Sequence, residues 1–556
     1  MRGLPLYATL ALLAVTAPPA AGQIVFVDAD LTTGANDGSS WADAFQGSRG
    51  LRVALATTSS GSEIWATEGV YRAGFAGAGS AGDGFEVLFP ELTLRGGFVG
   101  GETSIHERPA FDTPTTVLSG DTLGDDDGTP VSLSDNAPTV LSAETVEAFA
   151  LDRVAVEGGT DVGFLARRSA VRVTRCTFRG SARGAVARDG NVGFQLRAAG
   201  TFVDCRFVGN TECGLDYSGF PPADPPVSID RCVFEENGGN GLELANVLMP
   251  AVVVANSVVR SNGGAGVQLR SVSDGANVQL NRLTIAGNGT FGLSYVGACG
   301  ICFQPRATDC ILWENAGPET DSSGSLVVRD SIVQGVGAAG SASTDALFVD
   351  FAAGDLRPAP GSPAIDAGTD APLGSEPTLL DVERGRRVWD DPAVAAGGSL
   401  AAAADVGAYE RTPFIGTYGD CAAVPNSTGA VGTILARGSL RVVDGNVTLG
   451  AEALPPNQFG IFIVSRTSGI TATAGGPGTL CLGGDIGRFN GAGQILASGA
   501  TGAFTLPLDL VRIPQPSAFV AAAPGDTWRF QAWHREAGPS GGSSSQWTDV
   551  VALPFE

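Results

Sequence analysis

Lysine is absent from this chain. All 34 basic residues are arginine, and histidine occurs only at His106 and His534. The commonest proton-transfer groups near neutral pH are therefore missing or scarce, so Lys-based chemistry is excluded and a Ser/His/Asp triad would depend on one of two isolated histidines. Charge is thin at 17% of residues and one-sided, with a net value of -24. That balance argues against nucleic acid and anionic membrane as partners, and a polyanionic polysaccharide would be repelled unless the arginines cluster locally. After the N-terminus no apolar run reaches membrane-spanning length, so no transmembrane segment is expected in the mature chain.

What is present is glycine, 79 residues of it, beside 43% hydrophobic residues. This composition suits many short strands joined by tight turns rather than long amphipathic helices. Between Val171 and Gly335 the strands recur as near-repeats: VRVTRCTFRG (Val171–Gly180), TFVDCRFVGN (Thr201–Asn210), VSIDRCVFEEN (Val227–Asn237), VVVANSVVRSN (Val252–Asn262), VQLNRLTIAGN (Val278–Asn288), RATDCILWEN (Arg306–Asn315) and LVVRDSIVQG (Leu326–Gly335). Asn210, Asn237, Asn262, Asn288 and Asn315 follow one another at 27, 25, 26 and 27 residues. A fixed period in the twenties built from short strands is the mark of a solenoid with one coil per repeat. Period-two alternation points Val227, Ile229, Cys232, Phe234, Leu242 and Leu244 inward, with turns at Asp230-Arg231 and Asn237-Gly238. Three strands and three turns per coil describe an all-β, right-handed parallel β-helix. The asparagines are expected to stack at one corner. Leu51–Ala56 reads as a short helix capping the first coil, because an open solenoid end exposes apolar core and unpaired strand edge.

The first residues read as a processing signal: Met1-Arg2, an apolar stretch Leu4–Val15, then the small residues Ala20-Ala21-Gly22. Residues 1–22 are therefore expected to be a signal peptide and the protein to be secreted or held at the cell surface. In an oxidising compartment the nine cysteines need individual accounts. Cys176, Cys205, Cys232 and Cys310 share one inward position and read as a buried apolar stack. Cys421 and Cys481 stand alone in the C-terminal part and are expected to pair. Cys299 and Cys302 lack the extra ligands a zinc site requires and read as a loop disulfide, leaving Cys213 over.

Arg153, Arg175, Arg231 and Arg282 recur near one corner. They could form an exposed basic stripe, but solvated turn residues whose stems cover apolar surface is the preferred account. Asp152, Asp204, Asp230, Asp309 and Asp330 are spread over successive coils and read as turn formers. No catalytic residue is assigned. The metal candidate is the loop Gly120–Gly128, where Asp121, Asp125, Asp126 and Asp127 could offer hard oxygens to Ca²⁺. The alternative, a plain solvated acidic loop that needs no cofactor, is preferred.

Several motifs carry a resemblance. IVFVDADLTTGANDGSSWADAF (Ile24–Phe45), LTLRGGFVGGETS (Leu92–Ser104) and LDRVAVEGG (Leu151–Gly159) resemble exported bacterial β-helix proteins related in fold to pectate lyases. LFVDFAAGDLRPAPGSPAIDAGTD (Leu347–Asp370), Arg384-Gly385, Arg387-Val388 and DVGAYE (Asp405–Glu410) resemble the closing coil of choice-of-anchor Q domain proteins. This resemblance implies fold and export rather than an activity. Beyond it, the strand-like runs Gly438–Leu454, Gln458–Arg466, Phe504–Val511 and Asp526–Glu536 alternate with Pro/Gly turns and read as a β-sandwich. They are similar to C-terminal modules of other exported bacterial proteins. The expected organisation is a signal peptide at 1–22, the β-helix with its cap and closing coil at 23–410, and the sandwich at 411–556. The expected function is non-catalytic binding of polysaccharide, glycans or cell-envelope components. The alternative is a carbohydrate-active enzyme, a polysaccharide lyase or glycoside hydrolase.

Overall fold

The computed structural model describes residues 22–556 apart from 75–83, 109–113, 127–132, 189–198, 220–226, 246, 248–251, 271–277, 297–303, 323–325, 336–341, 370–379, 390, 392–403, 420, 422, 473–477 and 538–542. Among the described residues, three parallel sheets of twelve, ten and nine strands run side by side, each complete coil giving one strand to each sheet. In one coil these strands are Val227–Asp230, Val233–Glu235 and Leu242–Ala245. The next coil repeats them in register, Ile229 opposite Val254, Phe234 opposite Val259 and Leu244 opposite Leu269. The chain is a right-handed parallel β-helix. The residues that alternation points inward are all buried. Phe178, Phe207 and Phe234 stack along the axis, with ring centroids 5.1 and 4.7 Å apart.

Two corners are built differently. Between the first and second sheets each turn from Arg153 onward uses a left-handed residue: Arg153, Arg175, Asp204, Arg231, Asn256, Arg282, Asp309 and Asp330 all have φ between 48° and 55°. The residue after most of them drops into the core, which is how Cys176, Cys205, Cys232 and Cys310 come to be buried free thiols. Between the second and third sheets the asparagines form a ladder. Asn210 Nδ2 donates to Asn237 Oδ1 at 2.9 Å, Asn237 to Asn262 at 2.8 Å, Asn262 to Asn288 at 2.9 Å and Asn288 to Asn315 at 2.8 Å. Each asparagine thereby satisfies a turn that would otherwise bury unpaired backbone groups.

An α-helix at Gly50–Thr57 closes the N-terminal end, burying Leu51, Ala54 and Leu55 in the coil core. The three parallel sheets run from Ile24 to Val333. The chain then lies on the outer face of the second sheet, where Leu356 and Ala408 pack on Val258 and Ala286, and Ala346, Ala364 and Val406 pack on Ile311 and Ile332. Further on, the antiparallel strands Thr433–Arg437, Thr448–Glu452 and Phe504–Pro507 form one sheet, and Phe459–Ser465, Thr527–Ala537 and Ser543–Pro554 form the main strands of another. The two share a core that includes Ile434, Leu449, Phe462, Trp528 and Leu553. Cys421 and Cys481 are bridged, with Cα atoms 6.0 Å apart. The expected signal segment lies outside the described residues but for Gly22, and Cys299 and Cys302 lie wholly outside them.

Candidate functional site: an arginine-lined cleft

A left-handed corner is cheapest with glycine or asparagine, because a Cβ there crowds the following carbonyl at a cost of about 1 kcal/mol or more. Asn256 shows that this corner accepts the cheaper choice. Arg153, Arg175 and Arg231 instead place long cationic side chains at strained positions of three coils. Strain that persists in a stacked set points to a use for the side chains.

These side chains open into a cleft of about 480 Å³. Its floor is the first corner of the solenoid with Thr177 and Arg206 of the second sheet. Its roof is Val382, Glu383 and Arg384 of the chain laid on that sheet, with Thr417, Thr527, Arg529 and Ala552 from the C-terminal strands. Six arginines line it (Arg153, Arg175, Arg206, Arg231, Arg384 and Arg529) against two carboxylates, Asp204 and Glu383. Asp204 is the hub of the floor. Arg231 Nε donates to it at 2.7 Å, and the Nε atoms of Arg175 and Arg384 lie 3.9 Å away. Arg231 also reaches Asp230 at 2.5 Å, and Arg529 donates to the Arg466 carbonyl at 2.7 Å. Arg206 pairs with Glu235, so the arginines of the cleft are fixed in place by carboxylates and carbonyls. Guanidinium forks match carboxylates in planar geometry, so the arrangement offers donors suited to an anionic group. Burial raises the Glu383 carboxyl above its usual range, and Asp381 adds to the effect.

The roof is riveted by three arginines close together in sequence. Arg384 donates to the Tyr418 carbonyl at 3.0 Å on its way to Asp204. Arg386 pairs with Asp549 at 2.8 Å and lies 4.5 Å over the Tyr418 ring. Arg387, fully buried, donates to the carbonyls of Asp405 and Gly407 at 2.9 and 2.5 Å. One short segment thus ties the solenoid corner, the C-terminal strands and the DVGAYE loop together. Burial raises Asp405 to about 6 and Glu410 well above the usual carboxylate range.

The four corner arginines divide into two groups. Arg153, Arg175 and Arg231 line the cleft, whereas Arg282 is sealed below the overlying chain. Arg282 pairs with Asp309 at 3.1 Å and donates to the Thr369 carbonyl at 2.8 Å; burial and the Arg387 charge pull it down to about 10. The solvated-turn account fails for Arg231 and Arg282, whose side chains are 5% and 1% exposed. It fails because sequence cannot show what lies over a corner. Glu383, Arg384 and Arg529 were missed for the same reason. The signal that could have found the cleft was arginine standing where a corner asks for asparagine or glycine. His534 is buried within the C-terminal sheet, where burial holds it below its usual range, and it does not line the cleft.

Of the acidic loop, Asp121 and Asp125 come together with Asp135, their carboxylate oxygens within 4.8 Å of one another. Asp126 turns instead to Asn136, whose Nδ2 donates to it at 2.8 Å, and Asp127 lies outside the described residues. Asp135 was not anticipated, being separated from Asp125 by ten positions. Burial pushes the Asp121 carboxyl up, but the Gly124 amide and Arg72 outweigh it and hold the group below its usual range. Arg72 sits 2.9 Å from Asp121. A cation already neutralises one of the three carboxylates, so the donor set fits a divalent ion poorly.

No family model matches the chain, and no curated protein matches it. Among solved structures it is similar to pectate lyase Pel9A, at 14% identity over 71% of this chain and 97% of that one, with a TM-score of 0.43. It is also similar to the A-module of the mannuronan C-5 epimerase AlgE4 of Azotobacter vinelandii (17% identity, 52% and 82% covered, TM-score 0.31). A third is the PL6 family alginate lyase AlyGC (11% identity, 58% and 39% covered, TM-score 0.28). The parallel β-helix itself is read from this chain's own sheet topology.

Proposed function

We propose that this is an exported or cell-surface β-helix protein that binds acidic saccharides, with a uronate carboxylate held in the arginine cleft. The observation that carries the reading is the convergence of six arginines on one 480 Å³ cleft in a chain of net charge -24. The cleft is of small-ligand size, suited to a short stretch of sugar rather than a folded partner. In this reading residues 1–22 are removed on export, 23–410 form the solenoid with its closing coil as in choice-of-anchor Q proteins, and 411–556 form a β-sandwich that completes the cleft.

A second reading, catalysis as a polysaccharide lyase, is favoured by Glu383. With the uronate carboxylate paired to arginine, the Glu383 carboxylate can take the proton on the adjacent ring carbon. The electron pair then forms the C4–C5 double bond as the C4–O4 bond breaks, and O4 takes a proton from water. A base with a raised pKa beside a neutralised anion is suited to that transfer.

Calorimetry with oligogalacturonate and oligomannuronate against neutral cello-oligosaccharide tests both readings. The acidic ligands should bind and the neutral one should not, and Arg175→Ala should weaken binding about tenfold, a loss of ~1.4 kcal/mol. Equal affinity for the neutral ligand, or none for either acidic one, sinks the binding site. Ultraviolet absorbance of an unsaturated uronate, lost in Glu383→Gln, would establish the lyase.

A further inference from the structure

Asp204 lies where the two halves of the cleft meet. Its Oδ1 accepts from Arg231 Nε at 2.7 Å, and its Oδ2 lies 3.9 Å from the Nε atoms of both Arg175 and Arg384. Arg175 and Arg231 belong to the solenoid floor, whereas Arg384 comes from the roof. One carboxylate, its side chain 12% exposed, is thus the counter-ion of three guanidinium groups. The turn itself does not require a charge at this position. Asp204 is a left-handed corner residue with φ 55°, and Asn256 fills the same corner two coils on with φ 48°. Asparagine suits that backbone as well as aspartate does.

We propose that Asp204 is the specificity-determining residue of the cleft, a built-in counter-ion that shuts out bare inorganic anions and shares its arginines only with a carboxylate carried on a sugar. The proposal rests on reading the cleft as an acidic-saccharide site. The physical reason is competition. Arginine stays charged at every physiological pH, so three guanidinium groups facing one partly enclosed space would draw in any small anion. With Asp204 between them, an incoming anion meets a like charge at contact range and must share donors that are already engaged. Sulfate or phosphate brings nothing further to offset that cost. A uronate does, because Thr177, Thr417, Thr527 and Glu383 line the same cleft and can pair with its ring hydroxyls. Specificity is a difference of affinities, and a repulsive group raises it when only the right ligand has contacts that compensate.

The test is Asp204→Asn in the full protein. The amide keeps an oxygen to accept from Arg231 Nε and suits the corner, so what the variant loses is the charge. Low-millimolar sodium sulfate, set against sodium chloride at equal ionic strength, should raise the melting temperature of the variant and not of the parent. In calorimetry, oligogalacturonate should bind the variant about tenfold more tightly than the parent. That gain should shrink as salt rises, and a damaged fold could not produce it. No sulfate response in the variant, or equal responses in both proteins, overturns the proposal. Weaker oligogalacturonate binding by the variant also overturns it, since Asp204 would then be holding the arginines in place for the ligand. Oligogalacturonate binding to neither protein removes the cleft reading, while a sulfate response confined to the variant would still mark Asp204 as the counter-ion.

Discussion

Asn262→Leu is the substitution whose cost the structure sets most directly. Asn262 is 1% exposed and stands at the centre of the ladder. Its Nδ2 donates to the Phe234 carbonyl at 3.1 Å and to Asn288 Oδ1 at 2.9 Å, while its Oδ1 accepts the Asn237 backbone N–H at 3.1 Å and Asn237 Nδ2 at 2.8 Å. Leucine matches asparagine in length but makes none of these bonds. Asn237 Nδ2 keeps the Phe207 carbonyl at 3.0 Å, and Asn288 Oδ1 keeps the Asn262 backbone N–H at 3.1 Å. The Asn237 backbone N–H is left buried without an acceptor. Four bonds at about 1 kcal/mol each and one orphaned donor at ~1–3 kcal/mol give roughly 4–6 kcal/mol after the apolar gain of leucine is set against them. A solenoid couples only nearest neighbours strongly, so the damage should be local to the coils on either side. Urea unfolding should show the loss as a lowered midpoint, and limited proteolysis should cut within the flanking turns. A midpoint shift worth less than about 1 kcal/mol would refute the reasoning and make the ladder dispensable.

Two further outcomes are expected. The ladder ends on Glu319, which accepts from Asn315 N at 3.2 Å and from Asn315 Nδ2 at 2.5 Å and is raised from 4.5 to about 7 by burial. A raised carboxyl contributes stability that is fully present below about 4.5 and is lost as pH rises through about 7. Glu319→Gln should therefore flatten that stretch of the stability–pH curve and gain about 1–2 kcal/mol at pH 8, after discounting for solvent screening; an unchanged slope refutes the assignment. In the acidic loop, millimolar Ca²⁺ should leave the melting temperature unchanged, because Arg72 already neutralises Asp121. A rise that disappears in Asp125→Asn would overturn that view.

The repeats were legible because coil geometry writes itself into sequence. Each coil must return the chain to the same corner, so Asn210, Asn237, Asn262, Asn288 and Asn315 recur at nearly constant spacing, and inward residues alternate with outward ones. The cap helix was legible from its apolar face, and the Cys421–Cys481 bridge from the lack of other candidates nearby. The cleft was not. Its floor comes from coils around positions 153 to 231, but its roof comes from Glu383, Arg384 and Arg529. No local pattern announces that two such distant stretches will meet. The corner arginines therefore looked like residues free to solvate, and only the overlying chain turns some of them into the lining of a cleft.

Under the proposed function a chain of net charge -24 would bind an anion without contradiction, because the two effects act at different ranges. At physiological salt, fields between exposed charges fade over about 8 Å, so the acidic exterior acts on a polyanion weakly and only on approach. Inside the cleft the six arginines face the ligand at contact, where partial burial weakens screening and guanidinium geometry counts. The exterior should slow association and the cleft should slow dissociation. Long-range repulsion then disfavours loose adhesion of acidic polymer along the solenoid, and only a segment seated among the arginines is held. In the proposed function, selectivity for an acidic saccharide would be a property of one place rather than of overall charge. That is why composition alone pointed away from the ligand class the cleft favours.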